Sequence, residues 1–175
     1  MAADDLTTKV AWCRRDPTIE RDARALWAQT GGLKPERADE RLSELCVAAY
    51  SGDALAGISS AAIEYLEVLR CRLAVYRCLV ASTARMKRVA TVLALKSFDV
   101  LEAWSRDNPA EGVMGMGAVI QSRALVEHDR HAVWPDTKLT FVGFTDAGHQ
   151  FRLKWFAHGV VADWTPPAKP PGAKS

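Results

Sequence analysis

The stretch YRCLVASTARMKRVATVLALKSFDVLEAW, residues 76–104, organises the rest of the chain. It opens with a short apolar run, residues 78–80, and passes through a turn of small residues, 81–84. About twenty residues with helical periodicity follow, with polar residues in one stripe and apolar residues over a wide opposite face. The pattern predicts a strand, a turn and a long helix that packs on a sheet.

Three cations, Arg85, Lys87 and Arg88, fall in the predicted first turn of this helix. The positive end of the helix dipole disfavours a cation there by about 0.3 to 1 kcal/mol. A bound anion would offset that cost, and the free backbone N–H groups of a helix start bind phosphates readily. The segment therefore predicts a phosphate site, and the alternative is a solvated basic helix end.

The same segment resembles the acyl-CoA binding motif of the GCN5-related N-acetyltransferase (GNAT) superfamily. In that motif a strand ending in Val is followed five residues later by the pattern R/Q-x-x-G-x-G/A. Here Val80 precedes Arg85 by five residues, and residues 85–90 read RMKRVA. Arg88 departs from the pattern, because it replaces the first glycine, whose missing side chain lets the backbone approach the pyrophosphate closely.

The resemblance covers about residues 9–164 and implies that acetyl-CoA, or another acyl-CoA, is the co-substrate. The implied binding residues are Leu79, Val80, Arg85, Met86, Lys87, Arg88, Val89, Ala90 and Thr91.

Composition narrows the class of protein. A chain of 175 residues with 49% hydrophobic and 25% charged residues suits one globular domain. The net charge of +2 gives no reason to expect nucleic acid as a partner. Apolar stretches stay far below the ~20 residues that span a bilayer, so we expect no membrane association. The four cysteines form no CxxC pair and follow no signal-like segment, which favours reduced thiols in a cytoplasmic protein.

The N-terminal half predicts two helices after a first strand at residues 9–14. Asp16 and Pro17 form a start signal, and Gly31-Gly32 a stop signal, for the first helix. A second helix is predicted over residues 35–50 from its apolar spacing. Strand-like runs then follow at residues 55–60, 61–68 and 71–80, although no strong turn signal separates the first two.

Beyond the long helix, residues 113–121 read as a buried strand that contains Gly115 and Gly117. Glycines inside a strand suggest that something approaches it closely. In the family this strand splays from the motif strand, and the pantetheine arm of the cofactor lies in the opening. Residues 138–144 and 151–161 predict a closing hairpin with a glycine-bearing turn.

The element order implies an α+β fold of the GNAT type, a mixed and mostly antiparallel sheet flanked by helices with a splay between the central strands. We expect a flexible N-terminus at residues 1–8, the acyltransferase domain at 9–164 and a disordered, proline- and lysine-rich tail at 165–175.

Acyl transfer to an amine needs a base for the amine and an acid for the departing thiolate. Glu64 and Glu67 are the candidate bases, because a carboxylate that points inward from apolar strand sequence would have a raised pKa. The alternative is that each lies on the solvated side of its strand. Gln121, Ala124 and His128 are spaced like the family's N-x-x-A-x-x-x-Y, whose tyrosine serves as the acid. His128 is thus the candidate acid, or else a surface histidine.

Two other features are given structural interpretations. His128 and His131 could share a helix face, but no further ligand is spaced to join them, so we expect no metal. Cys78 lies in an apolar strand and is interpreted as a core residue rather than a nucleophile.

The function implied by the resemblance is transfer of an acyl group, foremost acetyl, from acyl-CoA to a primary amine by direct attack in a ternary complex. The acceptor is a small-molecule or protein amine, and the chain is a monomer or homodimer. Two alternatives stay open: a degenerate member that binds CoA or a protein partner without catalysis, and a purely structural or interaction domain that has lost CoA as well.

Overall fold

The computed structural model describes residues 6–161, except the side chains of residues 85–87 and 128. This part of the chain forms a seven-stranded sheet with helices on both faces. The strands are β1 (Leu6–Val10), β2 (Leu45–Ser51), β3 (Ala54–Leu66), β4 (Cys71–Val80), β5 (Val113–Ile120), β6 (Thr140–Phe144) and β7 (Gln150–Trp155). The α-helices are α1 (Pro17–Thr30), α2 (Ala38–Ser43), α3 (Val89–Asp107) and α4 (Arg123–His128).

The sheet has the strand order β1-β2-β3-β4-β5-β7-β6. Neighbouring strands are antiparallel except for β4 and β5, which are parallel and are joined by the crossover helix α3. This arrangement confirms the predicted α+β architecture with a mixed, mostly antiparallel sheet. No helix in the described part of the chain combines the length and the apolar character needed to cross a bilayer.

Helix α3 packs on the sheet face that carries Gly57 and Ser59. A Cβ atom on Gly57 would lie 2.8 Å from Val89 Cγ1, so the glycine allows a close approach of the helix start. Deeper in this interface the hydroxyl oxygens of Ser59 and Ser97 lie 2.8 Å apart. The opposite face meets the end of α1, where a Cβ atom on Gly32 would lie 3.0 Å from Leu79 Cδ2.

Helix α1 begins and ends where the sequence predicts. The Asp16 carboxylate accepts hydrogen bonds from the N–H groups of Thr18 and Ile19, and Pro17 occupies the first turn. Gly31 then ends the helix with a φ of 64°, a left-handed conformation that glycine adopts at low cost.

The predicted second helix over residues 35–50 is wrong in its second half. A 3-10 turn at Pro35–Arg37 leads into the short α2, and residues 45–50 belong to β2. All six of these residues are buried, because β2 is covered on both faces of the sheet. A strand of that kind is apolar at every position, so apolar residues also fall at helical spacing by chance.

Three other boundaries differ from the predictions. The first strand, placed at residues 9–14, runs from Leu6 to Val10, so residues 6–8 pair with β2 instead of forming part of a flexible N-terminus. The two strands predicted at 55–60 and 61–68 are the single strand β3, consistent with the missing turn signal between them. Residues 1–5 and 162–175, including the predicted tail, lie outside the described residues.

The organising stretch forms the predicted strand and helix with a longer connection between them. Strand β4 ends at Val80 as predicted, but α3 begins at Val89, since Ser82–Lys87 form a 3-10 turn. The three cations therefore precede the helix instead of occupying its first turn. The helix stops before Asn108 and Pro109, as expected.

Both glycines of β5 are in close contact with the neighbouring strand β7. A Cβ atom on Gly115 would lie 2.7 Å from the carbonyl oxygen of Lys154, and one on Gly117 would lie 2.7 Å from Phe151 Cζ. The close approach predicted at these positions thus comes from the protein's own chain. The closing hairpin is present but shorter than predicted, as β6 and β7.

Candidate active site

The parallel strands β4 and β5 separate near their C-terminal ends. Their pairing runs from Arg72 and Val113 to Tyr76 and Ala118, yet β4 continues to Val80 and β5 to Ile120. Beyond the last pair the two strands diverge, which confirms the predicted splay between the central strands.

The splay leaves backbone groups of β4 facing an opening. Ala81 N–H donates a 2.9 Å hydrogen bond to the carbonyl of Ala56 on the β3 side. Because successive residues of an antiparallel ladder point their N–H and C=O groups to alternate sides, those of Cys78 and Val80 point away from β3. They face the gap that β5 has left, and backbone polar groups in such a place need a partner.

A cleft of about 670 Å³ occupies this opening and extends over the sheet face covered by α1 and α2. Its walls come from β2, β3, β4 and β5, the end of α1, α2 and the region around the start of α4. Its lining includes Trp27, Leu33, Arg41, Leu45, Glu64, Tyr76, Arg77, Cys78, Leu79, Gln121 and Leu125.

Tyr76 lies where the splay begins. The residue is 5% exposed, and its phenolic oxygen is buried without a hydrogen-bond partner among the described residues. Burial holds the pKa of this phenol well above its ordinary value, so the hydroxyl keeps its proton at neutral pH. The phenol therefore lies in the core next to the Cys78 thiol and not on the open surface of the cleft.

Cys78 is solvent-accessible in the cleft, so its interpretation as a core residue is wrong. The surrounding protein removes much of the water around the sulfur and raises the pKa of the thiol. The group is therefore a neutral thiol rather than a thiolate nucleophile at neutral pH.

Four charged side chains are linked on the sheet face below α1 and α2. Arg77 Nη2 lies 2.9 Å from Glu64 Oε1, and Arg77 Nη1 lies 3.5 Å from Glu44 Oε2. Arg41 Nη1 approaches the same Glu44 oxygen to 2.8 Å. We call Arg41, Glu44, Arg77 and Glu64 the charged quartet.

The structure separates the two glutamates that the sequence suggested as bases. Glu64 lines the cleft, but its side chain is exposed and paired with Arg77 instead of pointing into an apolar interior. Glu67 follows the end of β3 in the turn before β4, and it is an exposed residue outside the cleft lining. Only Glu64 is therefore close to the opening.

His128 is the last residue of α4, and its side chain lies outside the described part of the structure. The neighbouring His131 ring contacts Asp129, with Nδ1 2.8 Å from the carboxylate. Among the described side chains, no group of three His, Cys, Asp or Glu residues lies close enough to hold a metal ion.

The residue directly before α3 has a backbone conformation that favours glycine. Arg88 has φ 54° and ψ 22°, in the left-handed region that favours glycine. Its side chain turns to Asp136 in an ion pair of 2.5 Å, and its carbonyl accepts the N–H of Val92. Among the described side chains none caps the helix, and the N–H groups of residues 89–91 have no partner within α3 because its first bond is made by Val92.

Several cleft residues were missed by the sequence analysis. Tyr76 and Arg77 lie inside the organising stretch, and the polar signal there was an arginine within an otherwise apolar strand. Arg41 and Glu44 lay in the segment that was interpreted as one continuous helix, so their position at the edge of β2 could not be foreseen. The side chains of Arg85, Met86 and Lys87 are outside the description, although their backbone forms the 3-10 turn before α3.

No family model matches the sequence, and no curated relative matches it either. Solved structures do match. A GNAT superfamily phosphinothricin acetyltransferase from Sinorhizobium meliloti in complex with AcCoA is 14% identical over 93% of this chain and 94% of that chain, with a TM-score of 0.57. An N-acetyltransferase from Staphylococcus aureus is 13% identical over 87% of this chain and 99% of that one, with a TM-score of 0.55.

A third similar structure is a mutant of the toxin AtaT bound to the C-terminus of the antitoxin AtaR and acetyl-CoA. It is 12% identical over 87% of this chain and 94% of that chain, with a TM-score of 0.55. At such low identities the similarity establishes the fold. The chain has the GNAT fold, as the residues around Val80 and Arg85 predicted.

Proposed function

We propose, from the GNAT fold and the open cleft, that this chain is an N-acyltransferase that moves an acetyl group from acetyl-CoA to an amine. The observation that carries the proposal is the splay between β4 and β5, which leaves the backbone of Cys78 and Val80 without a strand partner. Proteins of the same fold have been crystallised with acetyl-CoA or coenzyme A.

The shape and polarity of the splay suit the pantetheine arm of CoA. That arm is a narrow, extended chain with two amide groups, and it could exchange hydrogen bonds with the outward backbone groups of β4 as a short strand would. Leu79 and Val80 stand at the end of β4, on the path from the splay to the start of α3. We assign the arm to this path.

The CoA pyrophosphate is assigned to the connection between β4 and α3. The backbone N–H groups of Val89, Ala90 and Thr91 supply donors at the positive end of the helix, and Arg85 and Lys87 precede them. Met86 contributes backbone only in this assignment. The Arg88 side chain is held by Asp136, so it need not block the phosphates although it stands in the glycine position.

The chemistry required of the cleft is simple. The amine nitrogen forms a bond to the thioester carbon, the carbon–sulfur bond breaks with its electron pair on sulfur, the nitrogen loses a proton and the thiolate gains one. We assign the first proton to Glu64, directly or through water, because it lines the cleft. Glu67 remains a sequence prediction without support from the cleft geometry.

Two groups are candidates for the second proton. His128 remains a prediction from the motif spacing. Tyr76, at the last residue pair before the splay, has a protonated hydroxyl, and its buried oxygen would have to become accessible to reach the thiolate. A thiol has an ordinary pKa of about 8.5, so the thiolate can leave without being fully protonated at neutral pH. A general acid would therefore increase the rate only modestly.

The proposal is tested first by binding. Calorimetric titration with acetyl-CoA should show an affinity that weakens with added salt and weakens further in Arg85→Ala, since charge contacts to phosphates are screened. Arg24→Gln, an exposed α1 residue paired with Asp39, is the matched control and should bind like the natural chain. Absence of binding at millimolar acetyl-CoA would exclude the proposal.

Turnover then separates an enzyme from a CoA-binding protein without catalysis. Release of CoA thiol, monitored with a panel of amines, should depend on both substrates. Glu64→Gln should lower turnover by about 10²- to 10⁴-fold, whereas Tyr76→Phe and His128→Ala should each lower it by no more than about 10²-fold. Full activity in all three variants would show that positioning alone drives the reaction.

A further inference from the structure

Three members of the charged quartet, Arg41, Arg77 and Glu64, line the cleft. Arg77 on β4 and Glu64 on β3 project from neighbouring strands, and Arg41 reaches in from α2. Glu44 stands directly before β2 and contacts both arginines. These groups lie across the sheet face next to the splay, where a second substrate would approach the thioester.

The two arginines of the quartet share Glu44, and Arg41 keeps an unsatisfied hydrogen-bond donor. The side chain of Arg41 is 11% exposed, and its Nη1 atom is buried without a hydrogen bond, although it lies 2.8 Å from Glu44 Oε2 in an ion pair. The same glutamate also serves Arg77, so two guanidinium groups share one carboxylate. Burial, followed by the charge of Arg77, lowers the pKa of Arg41. A further anion beside Arg41 would add an acceptor to a guanidinium group that shares its carboxylate with Arg77.

Glu64, at the other end of the quartet, could bind a further cation. Glu64 is the most exposed member, and its single described partner is Arg77. An incoming ammonium group could take the place of that guanidinium beside Glu64. Arg77 would then need a new anion, which a substrate can supply if its amine and its carboxylate lie on the same small group.

We propose that the acceptor is an α-amino acid with an apolar side chain, bound through its carboxylate by Arg41 and Arg77 and through its amine by Glu64. This inference rests on the proposed acyltransferase function. The 2.9 Å contact between Arg77 and Glu64 sets the two recognition groups side by side, which fits an amine and a carboxylate on one carbon. Trp27, Leu33 and Leu45 supply an apolar wall for the side chain.

Other classes of amine fit the quartet less well. A monoamine without a carboxylate would draw Glu64 away from Arg77 and leave two guanidinium groups with one carboxylate. A polyamine would add positive charge to the same cleft. Binding of an α-amino acid would replace the ion pair between Arg77 and Glu64 by two ion pairs, one with the carboxylate and one with the amine of the substrate. The net charge of the cleft would stay the same.

The test uses three ligands of the same shape: leucine, leucinamide and 3-methylbutylamine. With saturating acetyl-CoA, kcat/KM for leucine should exceed that for either carboxylate-free amine by about tenfold or more, as expected for charge-assisted hydrogen bonds. Arg41→Gln should raise KM for leucine by a similar factor and leave KM for 3-methylbutylamine and for acetyl-CoA unchanged. Arg24→Gln should change none of these values.

Direct binding makes the test independent of turnover. Leucine titrated into the CoA-saturated protein should bind measurably, and Arg41→Gln should weaken that binding about tenfold while a thermal melt verifies folding. Equal kinetics for the three ligands, or no leucine binding with CoA bound, would overturn the α-amino acid assignment and leave acyl transfer intact. If CoA itself fails to bind, the proposed function falls, and leucine titrated alone decides whether the quartet is an amino-acid site.

Discussion

Arg88 combines a left-handed backbone with the position where the family motif has glycine. The residue keeps φ 54° although it has a side chain, and conformations of this kind cost roughly 1 to 2 kcal/mol for a residue other than glycine. Its ion pair with Asp136 is largely solvent-exposed and so offsets little of that cost. Arg88 therefore adopts a backbone conformation that glycine would adopt at lower cost.

Substitution of Arg88 separates the backbone from the side chain. Arg88→Gly should leave stability unchanged or raise it by about 1 kcal/mol, because relief of the strained conformation outweighs the lost ion pair. Arg88→Ala should be less stable than Arg88→Gly by about 1 kcal/mol, since alanine removes the ion pair and keeps the strain. Urea unfolding of the two variants measures this difference.

The same pair of variants tests the place of Arg88 in the site. Affinity for acetyl-CoA should stay within a few-fold of the natural chain in Arg88→Gly, because the side chain points to Asp136. Tight binding that appears only in the glycine variant would instead mean that the arginine blocks the pyrophosphate site.

Among the secondary-structure elements, those with a local chemical signal were predictable. Asp16, Pro17 and Gly31 mark the ends of α1. Val80 marks the end of β4, and Asn108 marks the end of α3. The β2 strand was not predictable in this way, because its burial on both faces is a property of the assembled sheet. The charged quartet was hidden for the same reason, since Arg41 and Glu44 meet Arg77 only after β2 is placed beside β3.

The glycines of β5 show how a correct signal can be given a wrong cause. Their presence predicted a close approach, which the family resemblance ascribed to the cofactor, whereas the contacts are made by β7. Sequence alone could not choose between the two, because both require the same missing Cβ atom.

Alanine at each glycine should destabilise β5 to a different extent. Gly115→Ala places its Cβ 2.7 Å from a backbone oxygen that cannot move, so we expect a loss of about 2 to 3 kcal/mol, at the upper end of overpacking. Gly117→Ala meets the ring of Phe151, and we expect a loss of about 1 to 2 kcal/mol. Chemical denaturation compares the two.

A second substitution provides the control. Phe151→Leu in the Gly117→Ala background should recover part of the stability, because the smaller side chain no longer meets the added methyl group. The same change should give Gly115→Ala no such recovery, and equal rescue of both would contradict the assigned contacts.

Across the whole molecule, several buried acids share one response to alkaline pH. Burial raises the pKa of Cys46 to about 12 and holds that of Tyr76 well above its ordinary value. The unfolded chain would release these protons near pH 8.5 and pH 10, so the folded state retains them where the unfolded state loses them. The stability they contribute is complete below those values and declines as the pH rises further.

Denaturation at a series of pH values should show this decline, which begins near pH 9 and steepens above about pH 10. Tyr76→Phe removes one ionising group and should make the fall above pH 10 shallower. At pH 7 the variant should be as stable as the natural chain or slightly more stable, because the lost hydroxyl has no described partner. An unchanged alkaline slope would contradict the assigned burial of the phenol.

The short ladder between β4 and β5 leaves a weakly paired boundary within the sheet, which we call the seam. Strands β1 to β4 form one antiparallel block and β5, β7 and β6 form another, while the ladder between them stops at Tyr76 and Ala118. Thermal opening of the molecule should begin along this seam, where amide hydrogens near residues 77–80 and 119–120 would exchange with solvent soonest. A ligand lying in the splay would act as a missing strand and close the seam, and its binding would then appear as slowed exchange in both blocks at once.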